Sequence, residues 1–176
     1  DKNKLNSDTF KVDSIRKTYK NKKIIFSLGR LVYYKGFEYL IASAKYLSED
    51  YIILIGGIGP LYKELDNKIK LLKLENKVKL LGRIEDNDLG NYYEACDIYC
   101  LSSIVKSEAF GIVQIEAMSF SKPVIATKIK GSGVDWVNKH KESGINVNPK
   151  NGEELANAIK KIISNHNLYK KYSQGA

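Results

Sequence analysis

Glu108 and Glu116 stand eight positions apart in Ser107-Glu-Ala-Phe-Gly-Ile-Val-Gln-Ile-Glu116-Ala-Met118. They bracket Phe110-Gly111, where a loop gives way to a helical pattern. A helix start carries unpaired N–H groups and the positive end of the peptide dipoles, and it suits an anion such as a phosphate. Carboxylates are poor phosphate ligands but good acceptors for hydroxyls, which sugars and ribose supply. A segment offering both kinds of contact fits a ligand with both phosphates and hydroxyls, a nucleotide-sugar. The structural alternative is that Glu108 only stabilises a helix N-terminus and Glu116 is a solvated helix residue. Ile112, Val113, Ile115, Ala117 and Met118 weigh against it, because they make the helix apolar on nearly all sides. A glutamate embedded there must be hydrogen-bonded or line a cleft.

A second constellation is Gly29-Arg30-Leu-Val-Tyr-Tyr-Lys35-Gly36. Two cations on a glycine-bounded loop can clamp a diphosphate, Arg30 with a planar fork and Lys35 with a compact charge; two solvated loop cations are the bland reading. Gly56-Gly57-Ile-Gly59 permits close backbone approach to a ligand, although a lone glycine cluster is weak support. It is not the Gly-x-Gly-x-x-Gly of dinucleotide dehydrogenases. No Gly-x-x-x-x-Gly-Lys-Ser/Thr is present, which excludes a P-loop enzyme.

These groups must be positioned by strands and helices in alternation. The apolar runs Ile24–Leu28, Tyr51–Ile55, Val78–Leu81, Asp97–Leu101, Pro123–Ala126 and Gly144–Val147 read as six strands. Between them lie helical patterns: Phe37, Leu40, Ile41, Ala44 and Leu47; Leu61, Leu65, Ile69 and Leu72; and a helix around Asp88–Ala95. The glutamate segment is a further helix, and Leu155, Ile159 and Ile162 mark a closing one. The spacing predicts an α/β fold with a doubly wound, six-stranded parallel sheet, Rossmann-like, covered on both faces. Ligands of such sheets bind outside the carboxyl ends of the strands, at the switch in strand order. The glycine turns and the glutamate segment all fall on that edge. The expected division is a linker or first helix over 1–22, the nucleotide-sugar-binding unit over 23–165 and a helical tail over 166–176.

At 176 residues and 43% hydrophobic composition, one packed domain is expected. The net charge of +9 comes from lysines in short runs, such as 20–23 and 170–171, rather than from one arm. That pattern suits a solvated face, with phosphate ligands or an anionic membrane as the functional alternatives, and nucleic acid is not expected. Cys96 and Cys100 lack partners at metal-ligand spacing and read as buried, reduced thiols of a cytoplasmic protein; His140 and His166 stand alone. No metal site and no cofactor are expected. No run approaches the ~18–20 apolar residues of a membrane span, and no signal sequence is expected. The chain opens on Asp1 and reads as a piece of a longer protein.

Taken together, the motifs resemble the C-terminal, donor-binding domain of family-4 retaining glycosyltransferases of the GT-B fold, the glycosyl transferases group 1. Gly29-Arg30…Lys35-Gly36, Gly57-Ile-Gly59-Pro60, Leu81-Gly82-Arg83 and Ser107-Glu108…Glu116-Ala-Met118…Lys122-Pro-Val-Ile125 carry the resemblance. It runs from about Ile24 to Ile163 and makes the chain one half of a GT-B fold. It implies that Arg30 and Lys35 hold the donor diphosphate and stabilise the leaving group. Main-chain groups around Arg83 and Ile84 would meet the base, and Glu108 the sugar hydroxyls. The N–H groups of Phe110, Gly111, Ile112 and Val113 would meet the sugar and distal phosphate, and Glu116 the ribose. Gly29, Gly57 and Gly59 complete the implied donor site. The resemblance implies a UDP- or GDP-sugar as donor, retention of configuration and a leaving group assisted by cations rather than a metal. It also implies a missing N-terminal acceptor domain, without which this piece is expected to be inactive.

The sequence departs from the family pattern at Ile58, often acidic there, and Ser121, often glycine. Both are expected to be packing changes. Gly131-Ser-Gly-Val-Asp135-Trp136 is an altered form of the family's Gly-Gly-x-Pro-Glu region. Structural roles are expected of Asp135 and Trp136, with acceptor or sugar choice as the alternative. Competing functions are a nucleotide-sugar epimerase of the same architecture, a donor domain without catalysis, and a basic phosphate- or membrane-binding module. Work on a polysaccharide or lipid-linked acceptor would bring the protein to the inner face of the membrane, in peripheral contact.

Overall fold

The structure, a computed structural model, describes residues 5–176; residues 1–4 of the N-terminal segment lie outside the described residues. Six parallel strands form one sheet: β1 (Lys23–Leu28), β2 (Tyr51–Gly56), β3 (Val78–Gly82), β4 (Ile98–Leu101), β5 (Val124–Thr127) and β6 (Gly144–Val147). Their order is β3-β2-β1-β4-β5-β6, so the winding reverses between β1 and β4. The helices are α1 (Thr9–Thr18), α2 (Phe37–Ser43), α3 (Tyr62–Leu71), α4 (Asp86–Ala95), α5 (Ile112–Ser119), α6 (Val134–Val137), α7 (Gly152–Ile163) and α8 (His166–Gly175).

The strands are apolar without alternation because both faces are covered. Ile25, Ile53 and Ile55 point to one cluster, with Leu40 and Ile41 of α2, Ile69 of α3 and Ile159 of α7. Ile24, Phe26, Ile52 and Leu54 point to the other, with Tyr93 of α4 and Ala117 of α5. The expected face Phe37, Leu40, Ile41, Ala44 and Leu47 is buried. The helix carrying it tightens to a 3₁₀ turn at Ala44–Tyr46.

The N-terminal segment forms α1 and packs on α4. Asp8 caps α1 by accepting from the N–H groups of Phe10 and Lys11, and its own N–H donates to Asn91 Oδ1 at 2.7 Å. Arg16 donates to both oxygens of Asp97, and Asp97 Oδ2 also accepts the N–H of Ile24, at the start of β1. Ser121 takes φ 54°, a left-handed conformation that glycine adopts without steric cost. This is a physical reason for the glycine often found there in the family.

Candidate active site

The β1–α2 loop and the β4–α5 loop meet at the switch point. Ser102 Oγ donates to the carbonyl of Lys35 at 2.9 Å, and the N–H of Ile104 donates to the carbonyl of Tyr34 at 2.8 Å. Gly36 sits at φ 62°, and a Cβ there would lie 2.2 Å from the carbonyl oxygen of Ser102. Only glycine allows both the turn and this contact.

The docked loops bring Lys35 to Glu108, with Nζ 2.6 Å from Oε2. Ser103 Oγ donates to the same oxygen at 2.6 Å, and Glu108 is only 7% exposed. Gly29 leaves room for the stem of Lys35, since a Cβ there would stand 3.2 Å from its Cε. Ser132 Oγ donates to the carbonyl of Glu108, so the β5–α6 loop also holds this segment. Glu108 is thus a buried carboxylate with a charged partner and a fixed backbone.

Beyond Glu108 the chain turns left-handed at Gly111, φ 63°, and enters α5. Among the described residues, the N–H groups of Phe110, Gly111, Ile112 and Val113 donate to no other group of the chain. They are the orphan donors of a helix start, next to the positive end of its dipole. Gln114 is fully buried, and its Nε2 donates to the carbonyls of Phe110 at 2.6 Å and Val134 at 3.2 Å. A pocket of about 310 Å³ lies over this segment, lined by Lys35, Ser107, Glu108 and the backbone of 109–113.

Glu116 lies one turn into α5, half-buried, and its Oε2 accepts from Tyr93 Oη at 2.7 Å. Tyr93 is fully buried among Phe26, Tyr99 and Phe120, and this burial pushes its phenol far above the usual range. It therefore stays a donor, fixing one carboxylate oxygen and leaving the other available. The embedded helix expected from the sequence is corrected here. Ile112 and Ile115 are 69% and 50% exposed, while the polar Gln114 takes the buried position.

Arg30 is exposed, outside the residues lining the pocket, and among the described residues it forms no ion pair. Gly57 and Gly59 use their freedom against the neighbouring loop. A Cβ on Gly57 would fall 1.9 Å from the carbonyl oxygen of Gly29, and one on Gly59 would fall 2.4 Å from that of Leu31. Arg83 points to solvent and pairs with Glu85 at 3.1 Å, while Ile84 packs half-buried below it. The structure therefore joins Lys35, Glu108 and the 110–113 backbone in one pocket. Tyr93, Ser103, Gln114 and Ser132 escaped sequence reasoning, because their partners lie on other elements, or in the case of Ser103 across an irregular loop.

The sequence model of the family described as "Glycosyl transferases group 1" matches residues 8–176. The chain belongs to that family. It is 37% identical over 150 residues to an uncharacterized glycosyltransferase of Haemophilus influenzae, covering 84% of this chain and 41% of that protein. It is 29% identical over 169 residues to the O-antigen chain mannosyltransferase C of Escherichia coli, covering 96% of this chain and 44% of that protein. The crystal structure of Anabaena Alr3699/HepE in complex with UDP and glucose superposes with a TM-score of 0.88 at 27% identity, over 98% of this chain and 48% of that one. The chain thus spans less than half the length of these relatives, and its architecture is one half of a GT-B fold.

Proposed function

We propose that this chain is the donor-binding half of a retaining glycosyltransferase that moves a hexosyl group from a UDP- or GDP-sugar. The observation that carries the reading is the buried Glu108, held by Lys35 and Ser103 beside four unclaimed N–H groups. A hydroxyl acceptor and a phosphate cradle then share one pocket, as a sugar joined to a diphosphate requires. Glu116, steadied by Tyr93, takes a ribose hydroxyl. The bond from the anomeric carbon to the distal phosphate breaks with its electron pair leaving on the nucleoside diphosphate, while an acceptor hydroxyl oxygen bonds to the same carbon and its proton passes to the departing phosphate. Lys35, Arg30 and the start of α5 stabilise that growing charge, with no metal and no obligatory protein nucleophile. Base contacts fall to the backbone at Arg83 and Ile84, at the end of β3. The relatives' names support a cell-surface polysaccharide or lipid-linked glycan as acceptor. Buried free thiols at Cys96 and Cys100 suit the cytoplasm. The acceptor half lies outside this sequence, so the chain alone is expected to bind donor and transfer nothing; measurable turnover by it would overturn that part.

Calorimetric titration with UDP, GDP and ADP, without added metal, tests the site. One nucleotide is expected to bind, and Glu116→Gln to weaken it by about 1–3 kcal/mol, the loss of a hydrogen bond to a charged group. Equal binding by the variant would sink the assignment of Glu116.

A further inference from the structure

Ten of the chain's 29 cationic residues but only four of its 20 acidic ones lie in positions 121–176, which therefore carry +6 of the net +9. Of those ten lysines only Lys122 has an ion-pair partner, Glu94, among the described residues. Partial burial, and after it the charges of Lys141, Lys128 and Lys161, hold the imidazole of His140 below the ordinary range. Beside them, at the outer edge of β6, opens a cavity of about 200 Å³. Its floor is Ile145, Val147, Ala158 and Tyr172, and its rim includes Lys141 and Lys161. The rim carboxylate, Glu154, is occupied by Asn148 and Asn151.

Trp136, the chain's single tryptophan, stands on α6 four residues before His140 and is 75% exposed. The structural role expected from the sequence is not one of burial. The buried Asn138 holds it there: its amide donates to the carbonyl of Val124 at 3.1 Å and to Asn146 Oδ1 at 2.8 Å, tying the end of α6 to β5 and β6. Ser143 Oγ and Asn146 Nδ2 complete the knot. A large indole is thus presented to solvent on a segment whose lysines, Lys128, Lys130, Lys139 and Lys141, are also exposed. Asp135 and Glu142 are the only acids interspersed.

We infer that the 128–141 surface, with Lys161, docks the protein on an anionic phospholipid bilayer. Indole prefers the level of lipid headgroups, and lysines without ion-pair partners gain from the negative potential of the surface. An apolar cavity below a cationic rim suits an acyl chain below a phosphate. No described helix is long and apolar enough to cross a membrane, so the contact is peripheral. The surface adjoins the donor pocket, since Ser132 and Gly133 bond to the carbonyls of Glu108 and Ala109, but its charge and its exposed indole do not depend on the reading of that pocket.

Trp136 is its own reporter. The chain is mixed with vesicles of phosphatidylcholine, with and without phosphatidylglycerol, and both sedimentation and indole emission are followed. Binding and a blue shift are expected with the anionic vesicles alone. Replacing Lys128, Lys130, Lys139 and Lys141 together by Gln should weaken binding on the order of a hundredfold or more. A control with Lys17, Lys20, Lys45 and Lys63 changed to Gln carries the same net charge and should lose far less. Equal losses in the two variants, or an unshifted Trp136, would overturn the proposal, as would a shift produced by saccharide or duplex DNA but not by vesicles. UDP, GDP and ADP titrations of the same samples keep a failure here separate from a failure of the donor site.

Discussion

Lys35 and Glu108 face each other with side chains only 12% and 9% exposed. Breaking such a pair from one side leaves a charge in a poorly solvated site. Lys35→Ala should therefore destabilise the fold by about 2–3 kcal/mol, and Glu108→Gln added to it should recover part of the loss. Urea unfolding of both variants measures this. Under the proposed reading, a donor diphosphate would share an ammonium that already neutralises Glu108. At Cys96 and Cys100 complete burial pushes both thiols up to about 12. At pH 8 neither should react with a disulfide reagent until the chain unfolds, when both titrate. Fast labelling of the native protein would contradict the packing described for β4.

At the scale of elements, the join between the β1–α2 and β4–α5 loops decides whether a site exists. Gly36→Ala places a methyl against the Ser102 carbonyl and strains a left-handed turn. A loss of more than about 1 kcal/mol follows from the backbone alone, with nucleotide binding falling as Lys35 moves off Glu108. Chemical denaturation and calorimetry on one sample read both effects. The strands were legible in the sequence because burial on two faces leaves continuous apolar runs that nothing else in a small domain imitates. Glu108 and Glu116 stood out by their spacing about Phe110-Gly111 at a helix start, although the apolar surround that first singled them out is half exposed in the structure. Other parts were not legible. Tyr93 meets Glu116 across 23 positions, and Ser132 meets Glu108 across 24, contacts that only the packed sheet creates. The helix α5 is eight residues long, too short for its pattern to reveal that Gln114 is inside while Ile112 and Ile115 are outside. The exposure of Trp136 was not legible for a related reason: it depends on Asn138, whose partners lie on β5 and β6.

For the whole molecule, a nucleotide bound only by the folded state must raise thermal stability. At a hundredfold excess over its Kd the gain is about 2.7 kcal/mol, or roughly 5–10 °C in a domain of this size. A melting curve unchanged by the nucleotide that calorimetry selects would contradict a single folded binding unit. The sheet has two open sides, and each is guarded differently. On β3 the guard is a charge, since Lys79 is exposed on a five-residue strand. On β6 three outward groups are already engaged: the N–H of Asn146 by His140 Nδ1 at 3.0 Å, the carbonyl of Gly144 by the N–H of Lys141 at 2.8 Å, and the N–H of Asn148 by Glu154. Both borders are thereby poor templates for a strand from another copy, so concentrated solutions should stay clear at neutral pH. Nδ1 accepts only while the imidazole is neutral, and the lowered pKa of His140 keeps it neutral below the ordinary value of about 6.5. The plug therefore holds through mild acid and opens beyond it. Light scattering that is flat near neutrality and rises only in stronger acid would trace fibril resistance to one histidine that takes no part in the chemistry.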